Sequence, residues 1–221
     1  MLHRTIAVAG LTALAACGGT TLPEMTPLPE VARGLVSDIG DLPGTSHKAM
    51  PTTGQARFVG VGGMLIDRNP RQTRDDLYVF GKADVNVDFS GSGKVAGAVT
   101  NIEGVRGREL PANTANTFAV PGRIVLGADR SYIDADPNAS SDRFGPNVFY
   151  TSYQGKLQTP DGDITIPVNG LFGKFVGTRA AAAGTPQTIK GIAGTDNGYG
   201  FTANGNRVDL TFDVLARNAQ K

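Results

Sequence analysis

The chain has 221 residues, of which 40% are apolar and 19% are charged. This composition is that of a globular protein and excludes disorder over most of the length. The 21 Lys and Arg against 20 Asp and Glu give a formal net charge of +1. A chain this close to neutral lacks the basic excess that binding to phosphates requires, so nucleic acid and anionic lipid are not expected as partners.

Residues 1–16 have the pattern of a bacterial export signal. A short, weakly basic start with Arg4 precedes an apolar run over residues 6–14, which is too short to span a bilayer. The run ends in Leu14-Ala-Ala-Cys17-Gly18, which resembles the lipobox of bacterial lipoproteins. The resemblance implies cleavage before Cys17 and acylation of its thiol, which anchors the mature chain to a membrane.

Cys17 and the residue after it bear on thiol chemistry and on the choice of membrane. Because Cys17 is the only cysteine, no thiol remains for a disulfide, a nucleophile or a metal site. The next residue is Gly18 rather than the Asp that often retains lipoproteins in the inner membrane, so the resemblance implies the outer membrane. A buried free thiol is the alternative interpretation of Cys17.

Residues 17–55 are predicted to be a flexible tether rich in Pro, Thr and Gly. No apolar period lasts long enough there to bury a face, and a coil of this length reaches roughly 30–40 Å root-mean-square. The segment Glu30–Val36 is amphipathic but contains Gly34, which disfavours a helix. We expect at most one helical turn there, docked on the following domain.

Residues 56–221 have the pattern of a β domain. Two stretches alternate strictly between apolar and polar side chains, one around Val85 and Val87 and the other around Leu210 and Phe212. Weaker strand candidates are 58–66, 94–102, 123–127, 148–157, 163–168, 170–178 and 188–195. The turn signals between them are Ser90-Gly-Ser-Gly93, Pro160-Asp-Gly162, Asn197-Gly198 and Asn204-Gly205.

This pattern predicts an all-β domain, an antiparallel barrel of about eight strands, with a sandwich as the alternative. Of the 30 glycines, 24 lie from Gly54 onward, and many fall inside candidate strands. Glycine within a strand is typical of the bends and close backbone contacts of a small closed barrel, which favours that fold. The lipid anchor, the absence of Trp and the 7% aromatic content argue against a membrane-spanning barrel.

Two motifs resemble a known family of lipoprotein barrels. The first is Val85-Asn-Val-Asp-Phe89-Ser-Gly-Ser-Gly-Lys-Val95-Ala-Gly97, and the second is Gly170-Leu-Phe-Gly-Lys-Phe175-Val-Gly177-Thr-Arg-Ala180 followed by Gly184. In order and spacing they resemble the β-barrel module of transferrin-binding protein B and factor H binding protein. The acidic residue and double glycine that often follow the alanine in that family are replaced by residues 181–184 here. The resemblance implies an eight-stranded barrel with an adhesive or nutrient-capturing surface, and it brings no partner residue with it.

Catalysis is not expected. After the export signal the only histidine is His47, in the tether, so Ser-His-Asp and Cys-His machinery cannot be assembled in the domain. The motifs HExxH, GxSxG and GxxxxGK[ST] are absent. Two pairs of carboxylates could serve a glycosidase, Asp84 with Asp88 and Asp209 with Asp213. Both pairs lie on the polar sides of their strands, where a solvated face is the simpler interpretation.

No metal and no cofactor are predicted. Asp134-Ala-Asp-Pro-Asn138 begins like a calcium-binding loop, but Ala139 and Gly145 stand where that loop needs a glycine and an acid. A polar turn is the simpler interpretation. Haem ligation by His47, Met50, Met64 or one of the five tyrosines is conceivable, but Met64 lies in a strand where a core position is expected.

The longest irregular stretches, 129–146 and 196–206, are the predicted partner-binding loops. They carry side chains of the types that dominate interface energies, namely Tyr132, Arg143, Phe144, Tyr199 and Phe201. The alternative is that these aromatic residues pack under their own loops. The sequence therefore predicts an outer-membrane lipoprotein whose barrel binds a protein or an iron- or haem-type nutrient. The alternative function is a structural lipoprotein that faces the periplasm and captures no ligand.

Overall fold

The computed structural model describes residues 26–45, 50–68, 75–134, 147–177, 189–203 and 206–219. Within these ranges the side chains of residues 134, 197–203 and 206–208 are not described. No helix in this part of the chain has both the length and the hydropathy needed to cross a membrane.

The domain is a closed antiparallel β-barrel, as predicted. Its strands are β1 Gln55–Asp67, β2 Leu77–Asp88, β3 Lys94–Arg106, β4 Phe118–Ala119, β5 Gly122–Asp134, β6 Val148–Thr159, β7 Gly162–Gly177, β8 Ile189–Ala203 and β9 Asn206–Asn218. The order is β2-β1-β9-β8-β7-β6-β5-β3-β4, and the pairing of β2 with β3 closes the ring. The two-residue β4 pairs only with β3, so eight strands form the barrel.

The two strictly alternating stretches are half-buried strands, which confirms that prediction. Val85 and Val87 of β2 and Leu210 and Phe212 of β9 point into one continuous apolar core that fills the barrel. Their neighbours Asp84, Asn86, Thr211 and Asp213 are half-buried or exposed on the outer face. The interior is therefore packed with side chains, as expected for a small barrel.

Glycines inside the strands allow close backbone contacts, as the composition predicted. A Cβ atom at Gly60 would overlap the backbone of Leu215 and Ala216 on β9. A Cβ atom at Gly97 would overlap the backbone of Asp84 and Val85 on β2. Any other residue at these two positions would push adjacent strands apart.

Two predicted interruptions between strands are absent from the structure. The predicted stretch 163–168 and the described part of the stretch 170–178, residues 170–177, belong to one strand, β7, which is interrupted only by a register shift opposite Tyr153 and Gly155. Asn197-Gly198 is not a turn, because both residues lie within β8 and pair with Thr211 and Leu210 of β9. The turn signal Asn204-Gly205 lies outside the described residues, between two strands that pair up to Ala203 and Asn206.

The predicted tether contains more structure than one helical turn. Residues 28–45, here called the strap, form helix α1 Leu28–Leu35, a π-helical turn Val36–Gly40 and an extended end. The buried side chains Leu35 and Ile39 pack on the outside of the barrel in one cluster with Val61, Phe80 and Val176. The strap therefore covers part of the outer wall, and β1 is buried on both of its faces.

Hydrogen bonds fix the strap at both ends. The amide of Gly177 donates to the carbonyl of Pro43 at 3.1 Å, and the amide of Thr45 donates to the carbonyl of Phe175 at 2.8 Å. At the helix, the Arg33 guanidinium donates to the carbonyls of residues 111 and 112 at 3.3 and 2.8 Å. The strap thus links the end of β7 to the loop that follows β3.

Truncation of Phe212 should measure the contribution of the interior. Its ring is 0% exposed and lies 4.7 Å from the ring of Tyr153, centroid to centroid. Phe212→Ala should lower the free energy of unfolding by about 3–5 kcal/mol, because it leaves a cavity in a packed core. The exposed neighbour is the control: Asp213→Ala should stay within about 0.5 kcal/mol of the wild type in the same denaturant melts. Equal, small effects would mean that β9 is not half-buried.

Two adjacent residues of the strap should differ sharply in their effect on stability. Leu35 is 3% exposed whereas Val36 is 59% exposed. Leu35→Ala should cost about 2–5 kcal/mol, because it removes side-chain volume from the cluster on the outer wall. Val36→Ala should change stability by less than about 0.5 kcal/mol. Thermal or denaturant melts of the two variants measure this difference. Equally small losses in the free energy of unfolding would show that the buried face of the strap contributes nothing to the fold.

Candidate functional site

A row of three aromatic side chains crosses the outer wall of the barrel. Tyr132 of β5 pairs directly with Tyr150 of β6, and Tyr150 pairs with Phe172 of β7. All three point outward because the next residues along β5 and β6, Ile133 and Phe149, pack into the core. The two tyrosine rings are stacked at 5.4 Å, and Tyr150 meets Phe172 edge to face at 5.0 Å. We call Tyr132, Tyr150 and Phe172 the aromatic row.

A bulge in β5 positions a cation at the end of the aromatic row. The register with β6 shifts between Leu126 and Ser131, and the Ser152 hydroxyl accepts hydrogen bonds from the amides of Asp129 and Arg130 at 2.9 Å each. The guanidinium of the exposed Arg130 then lies 5.3 Å from the ring centroid of Tyr132. This is cation–π distance, and bulges often aim side chains in this way beside functional sites.

Gly170 provides the space that Tyr150 occupies. A Cβ atom at this position would lie 2.5 Å from the nearest carbon of the Tyr150 ring. Gly170 pairs with Ser152, two residues before Phe172 on the same face of β7. The glycine therefore allows the Tyr150 ring to lie flat along the wall instead of being pushed toward solvent.

Phe172 also forms one wall of a groove over β8, here called the trough, with a volume of about 440 Å³. The outward side chains of β8 at this level, Ala193 and Thr195, are short and form the floor. Longer side chains stand on both sides. They are Phe172 and Lys174 on β7 and Asp213 and Leu215 on β9.

A second groove of about 370 Å³ continues from the trough along the edge of the strap. It shares Asp213 and Leu215 with the trough and runs between Val36 of the strap and Tyr78 of β2. In the described part of the chain three large apolar side chains remain exposed, and two of them, Val36 at 59% and Phe172 at 43%, border these grooves. Exposed apolar surface gathered in this way is typical of a binding surface.

The structure brings one of the predicted partner-binding residues, Tyr132, into this surface. Cys17, Arg143 and Phe144 lie outside the described residues. Tyr199 and Phe201 lie on β8, and their side chains are not described. The prediction of irregular structure is wrong for 129–134 and 196–203, which belong to β5 and β8, because both stretches pair with neighbouring strands.

Three residues of this surface, Arg130, Tyr150 and Phe172, are not among the predicted partner-binding residues. Tyr150 and Phe172 lie in stretches predicted as strands, where sequence alone does not fix which face a side chain occupies. Gly170 is the one sequence feature that points to Tyr150, because a glycine in a strand often marks the close approach of a neighbouring side chain.

A polar cluster lies in the described part of the barrel interior. The Tyr153 hydroxyl donates to Asp196 Oδ2 at 2.6 Å, and Asn169 Nδ2 donates to the same oxygen at 2.9 Å. Burial, together with the hydrogen bond to Asp196, raises the pKa of Tyr153 far above its usual value. The phenol therefore stays neutral and serves as a hydrogen-bond donor within the core.

Two acidic side chains of β2, Asp84 and Asp88, have structural partners. Asp84 forms an ion pair with Arg57, whose hydrogen bond lowers the pKa of Asp84. Asp88 accepts a hydrogen bond from the amide of Ser90 at 2.9 Å in the β2–β3 turn. Within the described ranges no three His, Cys, Asp or Glu side chains are grouped to hold a metal ion. The loop 134–138 predicted as a polar turn lies outside those ranges, apart from the backbone of Asp134.

Three loops at one end of the barrel are joined by ion pairs. Asp161, in the β6–β7 turn, lies 2.6 Å from Arg68 and 2.7 Å from Arg106. Arg108, after β3, bridges Asp67 at 2.8 Å and the fully buried Asp76 at 3.1 Å. Burial, and then the charge of Asp67, raises the pKa of Asp76, which opposes its ionisation.

Both methionines named as conceivable haem ligands belong to the hydrophobic core. Met50 and Met64 are both buried there, and Met64 has no exposed surface. This confirms the core position expected for Met64. His47 lies outside the described residues.

Comparison with known proteins adds little beyond the geometry. No protein-family model matches the sequence, and no curated protein matches it. Among solved structures, the chain is similar to a double mutant of the vaccine antigen transferrin binding protein B from Haemophilus parasuis Hp5, with 14% identity and a TM-score of 0.37. The similarity covers 80% of this chain but only 28% of that protein. A match this weak transfers neither a partner nor a site, so membership of that family stays a prediction.

The ion pairs of Asp161 predict a stability difference that depends on pH. A hydrogen bond from Arg106 and the charge of Arg68 hold the pKa of Asp161 below its usual value. Its ionised form therefore stabilises the fold above the unfolded-state pKa of about 3.9, and this stabilisation is lost as the pH falls through the lower folded-state pKa. Asp161→Asn should cost about 1 kcal/mol near pH 7, and the difference from the wild type should shrink below about pH 4.

Urea melts from about pH 7 to about pH 3 measure that difference. Asp163→Asn is the matched control, because the ion pair of Asp163 with Lys156 is exposed, and its effect should stay within about 0.5 kcal/mol throughout. A cost for Asp161→Asn that does not change with pH would contradict the role given to its charge.

Proposed function

We propose that this chain is an outer-membrane lipoprotein, anchored through Cys17, whose barrel binds a protein partner on the aromatic row and the adjoining trough. The observation that carries the proposal is the alignment of Tyr132, Tyr150 and Phe172 across three strands, with Arg130 at one end. Tyr and Arg are the side chains most enriched at the energetic centres of protein interfaces. The lipobox Leu14-Ala-Ala-Cys17-Gly18 supports the anchor.

The geometry favours a protein over a small nutrient as the partner. The barrel interior is packed with apolar side chains and the cluster around Tyr153, so the surface features that suit a ligand lie outside. The stacked tyrosines and the grooves form an extended surface, which suits a macromolecule better than an enclosed pocket would. An iron- or haem-type ligand then becomes an outcome to be tested.

Site-specific photo-crosslinking in intact cells tests the proposal. A photoreactive phenylalanine analogue at position 172 should form an ultraviolet-dependent adduct with a protein. The same analogue at Asn86, an exposed position on β2 four strands away, should form none. Tyr132→Ala and Arg130→Ala should each weaken the interaction by about tenfold or more, as truncation of a central interface residue does. No adduct at 172, or equal adducts at both positions, would refute a binding role for this wall.

The same cells test the anchor and its orientation. Cys17→Ser should abolish labelling by a palmitate analogue and leave an uncleaved or mislocalised precursor, and label retained in the variant would refute acylation at Cys17. Protease added outside the cells should degrade the barrel if it faces outward. Full protection, combined with no adduct at 172, would favour a periplasm-facing structural lipoprotein instead.

A further inference from the structure

The walls of the trough carry charges that are open to a ligand. Lys174 on β7 and Asp213 on β9 are exposed and stand on opposite sides of Ala193 and Thr195. Neither residue takes part in the ion pairs formed among the described residues. The two charges lie at different levels, because Lys174 pairs with Ala193 whereas Asp213 pairs with Thr195.

The width of the trough determines whether a helix or an extended chain of a partner protein fits into it. Neighbouring strands lie about 4.8 Å apart, so the backbones of β7 and β9 are separated by roughly 10 Å, and their side chains narrow the space further. An α-helix with side chains is about 10–12 Å across and does not fit between these walls. An extended chain fits, with alternate side chains directed toward the floor and toward the walls.

We propose that the trough binds an extended peptide segment of a protein, with apolar residues at its centre, an acidic residue toward Lys174 and a basic residue toward Asp213. The inference rests on the proposed protein-binding function and specifies the part of the partner that is recognised. Because Lys174 and Asp213 lie two residues apart along the strand direction, roughly 7 Å, the two charges of the segment lie within about three residues of each other.

The adjoining groove extends this site toward the strap. Beyond Leu215 the apolar floor continues with Val61 and Gly63, bounded by Val36 of the strap and Leu110 of the loop after β3. A segment leaving the trough over β9 meets this groove directly, because Asp213 and Leu215 line both. Apolar residues of the peptide segment that follow its basic residue therefore pack in this second groove.

Peptide selection on the acyl-free mature chain, residues 18–221, tests the assignment. The probes are phage-displayed random decapeptides. Selected peptides should have an apolar centre with an acidic and a basic residue within about three positions. Their affinity should fall about tenfold, or ~1.4 kcal/mol, on Ala193→Trp, which fills the trough, and stay within about twofold on the matched variant Asn86→Trp.

Charge exchange distinguishes specific recognition from simple apolar binding. Lys174→Glu should weaken the selected peptides by about tenfold, and a peptide with Lys in place of its acidic residue should restore binding to that variant. Selected peptides that bind equally well to Ala193→Trp, or that lack the charge pair, would overturn the inference. A dimer of the wild type that Ala193→Trp dissociates in sedimentation would assign the trough to a second copy and overturn it too.

Failure of this inference remains separate from failure of the proposed function. If the cellular adduct at position 172 persists in Ala193→Trp, the aromatic row binds a protein without the trough, and only the peptide assignment falls. If the adduct is absent in the wild type as well, the proposed function itself falls.

Discussion

The register of the antiparallel ladders is the constraint on which the rest of this structure depends. Side chains alternate between the two faces of a strand, so a slip of one residue would turn every inward side chain outward. The pairing of Tyr132 with Tyr150, and of Tyr150 with Phe172, aligns three rings across three strands. The pairing of Ala193 with Lys174 places a short side chain beside a long one and so creates the trough. Both features of the candidate surface are consequences of register and of side-chain size.

The sequence predicts best those stretches that bury only one face. Residues 83–88 of β2 and 210–214 of β9 alternate strictly, and their apolar residues fill the barrel, whereas Phe80 of β2 packs on the outer face under the strap. β1 is buried on both faces, since the strap covers Val61, so its sequence does not alternate and its predicted limits, 58–66, are too short. The helix of the strap is longer than the single turn that was predicted. Gly34 costs only about 1 kcal/mol of helix stability, and the burial of Leu35 and Ile39 outweighs that cost.

The candidate site was less predictable than the fold, because it is made of contacts between strands that are distant in sequence. Tyr132 was predicted as an aromatic residue within the loop 129–146. In the structure it lies in strand β5, with its ring stacked on Tyr150. Phe172 could not be identified, since an aromatic residue in a strand is more often part of the core. Arg130 depends on a bulge held by Ser152, and a bulge leaves little signal in a single sequence.

The strap forms part of the candidate binding surface. It supplies one wall of the groove next to the trough through Val36, while Leu35 and Ile39 hold it against the barrel. A ligand that packs against Val36 gains that contact only while the strap is docked. By thermodynamic linkage, such a ligand stabilises docking of the strap by the same free energy that docking adds to binding. In the sequence the strap stands between the proposed anchor, Cys17, and the barrel. If the proposed function holds, it is therefore the element between the anchored residue and the candidate binding surface.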